Sequence, residues 1–169
     1  MSRLTVGSIE GLVENSNVIS VPTGHTLNAV DGLQIGGTAI GTWTSYTPSF
    51  TNFTLGNGTA TARYAQVNDL VFVEGQVVLG STSVMGSSPQ ISHPVGTSSL
   101  EVFISNTLRY DNYGIGNYLG TIWIYSNRIY LGTLYTGSTW ASVGWIGATS
   151  PFTWGTDDVF SWQYFYRTI

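Results

Sequence analysis

Cysteine is absent from the sequence, and so is lysine. Without cysteine, disulfide staples and thiolate metal sites are excluded. Charge is scarce: 8% of the 169 residues are charged, against about 25% in a typical soluble domain. The five basic residues, Arg3, Arg63, Arg109, Arg128 and Arg167, are scattered, and the net charge is −4. A nucleic-acid partner needs a basic stripe to neutralise phosphates, so none is expected. The polar surface has to come from Ser, Thr, Asn and Gly, a composition that loses little to salt or pH and suits an extracellular assembly.

Long apolar runs are missing too. None reaches the roughly 18 residues of a membrane span, so no membrane insertion is expected. The start, "MSRLTVGSIEGLVENS", lacks the apolar region of a signal peptide. An extracellular style of surface without a secretion signal fits release by cell lysis. Helical periodicity with caps is also lacking.

Strand signals are dense instead. In "ARYAQVNDLVFVEGQVVLG" two alternating runs flank Asn68-Asp69, a pair that accepts positive φ and so suits a tight hairpin. Its second run places Val71, Val73, Val77 and Leu79 on one face and Phe72, Glu74, Gln76 and Val78 on the other. "LGTIWIYSNRIYLGTLY" repeats the plan around Ser126-Asn127, between Ile122–Tyr125 and Arg128–Tyr135. There Ile122 and Ile124 share one face, Trp123 and Tyr125 the other. "SLEVFISN" and "DVFSWQYFYRTI" read as further strands. Gly56-Asn57-Gly58, Ser87-Ser88-Pro89 and Gly114-Ile115-Gly116 read as turns between runs. The pattern predicts an all-β fold, an antiparallel sandwich or barrel, and of these a jelly-roll-like β-sandwich is the expectation.

Aromatic residues are absent before Trp43, and all six Trp, ten Tyr and seven Phe follow from there. Because aromatics carry much of a core's burial, residues 43–169 are expected to form the folded knob. Residues 1–42 hold only small aliphatic groups among Gly, Thr and Asn. They cannot bury enough surface alone to offset their ordering entropy. Disorder is the plain alternative; the expectation is a short extended, Gly-rich β segment that folds against copies of itself, with Ile19, Val21, Leu27, Val30, Leu33 and Ile35 buried about a threefold axis. This segment is the expected site of trimerisation and attachment.

Three stretches carry a resemblance. "WTSYTPSFTNFTLGNGTATARYAQVNDLVFVEGQVVLGSTS" (43–83), "SPFTWGTDDVFSWQYFY" (150–166) and the Pro-x-Gly-x-x-Leu of "VPTGHTLNAVDGL" resemble a module of the tail-fibre and minor tail proteins of tailed bacteriophages. The likeness is weakest over residues 84–140. It implies a virion structural protein, usually trimeric, with a β-sandwich head domain. Tail fibres often have long shafts, whereas only about forty residues precede the head here. The resemblance therefore points to a short fibre or tip touching a host-surface glycan or protein. A capsid head fibre or decoration protein is the alternative, joined to other virion proteins through residues 1–42. A carbohydrate-binding module stands behind both, and a glycan depolymerase behind that.

No catalysis, cofactor or metal is expected. His25 and His93 sit beside turn residues, without further ligands at compatible spacing. Asp157 and Asp158 are adjacent and read as turn formers rather than as a facing acid pair. Asn52-Phe53-Thr54 and Asn57-Gly58-Thr59 match the glycosylation pattern by chance. The best binding candidates are Tyr110, Asp111, Asn112, Tyr113, Asn117 and Tyr118 in the Gly-punctuated "RYDNYGIGNY". Tyr rings stack on sugar faces, and amides or carboxylates bind hydroxyls. The same residues also suit packing at a sandwich edge or a trimer interface. Trp140, Trp145 and Trp154 are expected in the core or an interface.

Overall fold

The computed structural model describes residues 23–24, 34–35, 38–39, 41–97, 102–135 and 142–169. Every strand pairing in it is antiparallel. Two short strands, β1 (Gln34–Ile35) and β2 (Thr38–Ala39), pair with each other, Ile35 opposite Thr38. Of the six residues expected about the threefold axis, Ile35 lies in β1. Ile19, Val21, Leu27, Val30 and Leu33 lie outside the described residues, as do His25 and Trp140.

The other strands form one sheet. They are β3 (Thr44–Ser45), β4 (Phe50–Thr54), β5 (Thr59–Val67), β6 (Leu70–Val78), β7 (Val84–Ser92), β8 (Val102–Asn112), β9 (Gly116–Tyr125), β10 (Arg128–Tyr135), β11 (Ser142–Trp145) and β12 (Val159–Arg167). The order across the sheet is β3-β5-β6-β12-β8-β9-β10-β7-β4, with β11 pairing the far half of β10.

This sheet curls into a half-barrel. Phe53 in β4 touches Phe160 in β12, ring centroids 5.4 Å apart. The two strands are five places apart in the order, so a flat sheet would separate them by about 24 Å. Consecutive strands also stand at opposite ends of the order. The chain leaves the β5 side at Tyr46, whose N–H donates to Ala62 O at 3.0 Å. Three residues later Ser49 O accepts from Ser92 N–H of β7, also at 3.0 Å. Four residues reach only about 13 Å, so the two edges are close.

The period-two pattern decides what lies inside. In β12, Phe160, Trp162, Tyr164 and Tyr166 are buried, while Gln163, Phe165 and Arg167 face out. In β6, Val71, Val73 and Val77, with Leu79 just past its end, are buried as their alternation predicts, and Ile122, Ile124, Ile129 and Leu131 fill the same core. Gly75 interrupts the valines because Trp162, its cross-strand partner, covers it; a Cβ there would overlap the indole ring. Both predicted two-residue hairpins form, with Asn68 at φ 55° and Ser126 at φ 52°.

Two local expectations differ from the fold. Ser87-Ser88-Pro89 does not reverse the chain; it lies within β7. The β4–β7 register passes from Thr51↔Gln90 to Phe53↔Met85, so this stretch bulges against Asn52 (φ 57°) with Ser88 at φ 51°. Ser88 N–H then donates to Ile146 O at 3.0 Å. The stretch "RYDNYGIGNY" is not an open loop either. Cross-strand pairing carries β8 through Asn112 and starts β9 at Gly116, leaving only a short turn.

Candidate functional site

That hairpin divides the six residues of the sequence-based site. Tyr110 pairs with Tyr118, Asp111 with Asn117 and Asn112 with Gly116. Cross-strand partners share a face and neighbours alternate, so Tyr110 and Tyr118 belong to one side, Asp111 and Asn117 to the other. Tyr110 is fully buried and its hydroxyl donates to Gly132 O at 2.8 Å. Burial holds that phenol well above its usual pKa. It is therefore a core residue, out of reach of a surface ligand. Tyr118 packs against Phe152 at 5.1 Å. Tyr113, at the turn, is 70% exposed beside the equally bare Ile115. The six form a hairpin tip plus two faces, not one convergent pocket.

Asp158 fixes that tip. It is buried, its Oδ1 accepts from Tyr113 N–H at 2.9 Å, and its Oδ2 accepts from Gly155 N–H at 2.6 Å. Asp157 takes the turn itself at φ 68°. Asp158 thus holds backbone and Asp157 takes the turn's positive φ, as their turn reading predicts. Asn57 is likewise occupied: its Oδ1 accepts from Thr82 N–H at 2.9 Å, and its Nδ2 donates to Ser81 Oγ at 3.1 Å. Among the described residues no group of three or more His, Asp or Glu side chains is placed to hold a metal.

His93 is buried and hydrogen-bonded. Its Nδ1 lies 2.9 Å from the Tyr164 hydroxyl, and its ring stacks on Tyr166 at 4.2 Å. Nε2 is buried without a hydrogen-bond partner among the described residues, as are Tyr46 Oη and Trp162 Nε1. Burial pushes the imidazole down to about 4. It also raises Tyr46 and Tyr164, and pushes Tyr166 up to about 12. The cluster is therefore neutral across the ordinary pH range.

A cluster of four aromatic rings lies elsewhere, outside the curl on β9, β10 and β11. Trp123 meets Tyr130 at 5.1 Å, Tyr125 at 5.3 Å and Trp145 at 5.5 Å, the two indoles 28° from parallel. Tyr130 and Trp145 are 5.9 Å apart. Gly132 is the cross-strand partner of both Trp145 and Thr121, and a Cβ there would press on Thr121 and Val143. Trp145 is 39% exposed and Tyr125 40%. Trp145 thus sits on the outer surface, whereas Trp154 packs against Tyr110, Phe152 and Phe160 at the edge of the core.

One border of this shelf is polar and held in place. Arg128 donates through Nη1 to Gln90 Oε1 at 2.8 Å and Thr51 Oγ1 at 3.0 Å, and through Nε to Asn127 Oδ1 at 3.1 Å. Gln90 is also the register partner of Tyr130. Sequence reasoning did not single out this group, because its members come from five strands and a turn. One signal was available: β9 is apolar on both faces, isoleucines one way and Trp123 with Tyr125 the other. A strand with one solvated face is expected to be polar there.

A second outer surface covers β5, β6 and β12. Arg63 pairs with Glu74 at 2.6 Å and lies 4.8 Å from the Trp43 ring centroid. Phe72 and Phe165 lean together at 6.1 Å and are well exposed. No protein-family model matches the chain, no curated protein matches it, and no solved structure matches its fold.

Proposed function

We propose that this chain is a structural protein of a tailed-bacteriophage virion, a short trimeric tail fibre or tip. In this reading residues 43–169 are the knob that meets a host-surface glycan or protein. The knob is sandwich-like, of jelly-roll type, with halves of the curled sheet facing each other across Phe53 and Phe160. Residues 1–42 trimerise and attach it to other virion proteins. The role is mechanical, with no reaction, cofactor, metal or nucleic acid.

The observation that carries the reading is the boundary at Trp43. Every aromatic residue lies from there onward, and the sheet built from them leaves aromatic surface on its outside. The lead before it holds only small aliphatic groups, which gain an apolar partner when copies meet. Three copies also give a weak host contact avidity.

Two measurements test this. The purified chain should sediment near three times its 18.3 kDa mass; a monomer at micromolar concentration refutes the trimer. Gold-labelled antibodies on intact particles should mark the tail tip. Label on the head would transfer the chain to the capsid as a head fibre or decoration protein. Particles without label would overturn the virion role.

A further inference from the structure

We infer that the outer shelf of β9, β10 and β11 is a carbohydrate-binding platform. Trp145, Trp123 and Tyr125 supply the stacking rings, and Arg128 with Gln90 supplies the hydrogen-bonding rim. The inference goes beyond the virion reading and holds for the isolated chain.

Three observations select this occupant. First, the rings are pre-arranged. Trp123 is braced by Tyr125, Tyr130 and Trp145, so little rotamer freedom remains to be lost on binding. Aromatic faces attract the polarised C–H groups on the flat side of a pyranose.

Second, the rim offers directional polar groups at fixed positions. Arg128 is clamped by Thr51, Gln90 and Asn127, on the strand position two residues from Tyr130. With Nε and Nη1 committed to these partners, Nη2 of the guanidinium and the Gln90 amide nitrogen are the donors that would serve sugar hydroxyls, or a sugar carboxylate or phosphate. An aliphatic chain would leave these groups unused. The site is therefore expected to accept neutral or acidic sugars and to reject cationic ones.

Third, the area is small. Trp145 and Tyr125 leave about two-fifths of their surface bare; at 150–250 Å² for a large aromatic side chain, that is roughly 80 Å² each. Leu134 and Val143 extend the strip along β10 and β11. The total is on the order of a few hundred Å², below the roughly 800 Å² per partner of a stable protein interface. It suits two or three sugar rings better than a second copy of the chain.

The test uses the full chain on an array of several hundred oligosaccharides, with affinities for the best binder read by tryptophan fluorescence. Binding to one glycan class is expected. Trp145→Ala and Tyr125→Ala should each weaken it at least tenfold, while Tyr113→Ala, at the hairpin tip, leaves it unchanged. Thermal unfolding checks each fold; should Trp145→Ala not fold, Arg128→Gln at the rim is expected to weaken binding about fivefold. An array without binders overturns the inference, as does binding that survives these changes. Loss of oligomeric mass in Trp145→Ala or Tyr125→Ala also overturns it, identifying the shelf as a contact between copies.

Discussion

Acidification probes the interior through His93. The imidazole is 9% exposed, held between Tyr164 and Tyr166, with Nε2 unpaired among the described residues. Its pKa is down to about 4 against about 6.5 in the unfolded chain. Between these values the unfolded chain binds the extra proton and the folded one does not. Stability is therefore complete above the unfolded pKa and falls as pH drops through 6.5 toward 4. Integrating one such site gives a loss of about 2 kcal/mol at pH 5 and about 3 kcal/mol at pH 4. The flanking tyrosines stay neutral throughout, because burial raises them. The assay is urea unfolding between pH 7.5 and 5, a window that largely precedes carboxylate titration. His93→Asn keeps a polar atom near the Nδ1 position but cannot titrate, so its slope over this window should be lower by the full amount. The chain has two histidines, so the variant's spectrum also assigns the pair of imidazole resonances by NMR. An equal slope in both proteins, or a His93 resonance titrating near 6.5, refutes the reasoning.

Three substitutions test other parts of the fold. Gly75→Ala places a methyl where the Trp162 ring lies; a loss of about 1–3 kcal/mol is expected, with a changed near-ultraviolet dichroism. Tyr110→Phe leaves Gly132 O without the phenol that bonds it and should cost about 1–2 kcal/mol in urea unfolding; no loss would mean the carbonyl is satisfied elsewhere. Asp158→Ala frees the N–H groups of Tyr113 and Gly155. It should cost about 2–3 kcal/mol and speed hydrogen exchange at the β8–β9 tip, while Asp157→Ala should leave that exchange unchanged.

Much of the fold was legible because its signals are local. Asn68-Asp69 and Ser126-Asn127 separate alternating runs by two residues, which fixes both the turn and the register. The burial of Val71, Val73, Ile122 and Ile124 follows from the same alternation. The extension of β8 was less legible. Arg109, Asp111 and Asn112 are poor strand formers in isolation, yet pairing with Leu119, Asn117 and Gly116 overrides that preference. Ser87-Ser88-Pro89 gave a true signal of a kink but not of its kind, since a bulge and a turn use the same residues. The closure through residues 46–49 had no local signature at all. It depends on Ala62 and Ser92, neither of which is near in sequence.

The binding candidates divide along the same line. Counting Tyr and Asn in "RYDNYGIGNY" found residues of suitable chemistry, but the strand period turned Tyr110 inward. The shelf escaped because it is assembled across strands, with Trp123 of β9 stacked on Trp145 of β11. Its bare rings carry an energetic cost. Leaving roughly 80 Å² bare on each of Trp145 and Tyr125 forgoes about 2 kcal/mol of burial apiece. That is a substantial share of a domain stability of about 5–15 kcal/mol. Serine or threonine at these outward positions would keep the strand pairing and the inner core of isoleucines. The unrealised burial is recovered when an occupant covers the rings, and the clamped Arg128 beside them favours an occupant that carries hydrogen-bonding oxygens.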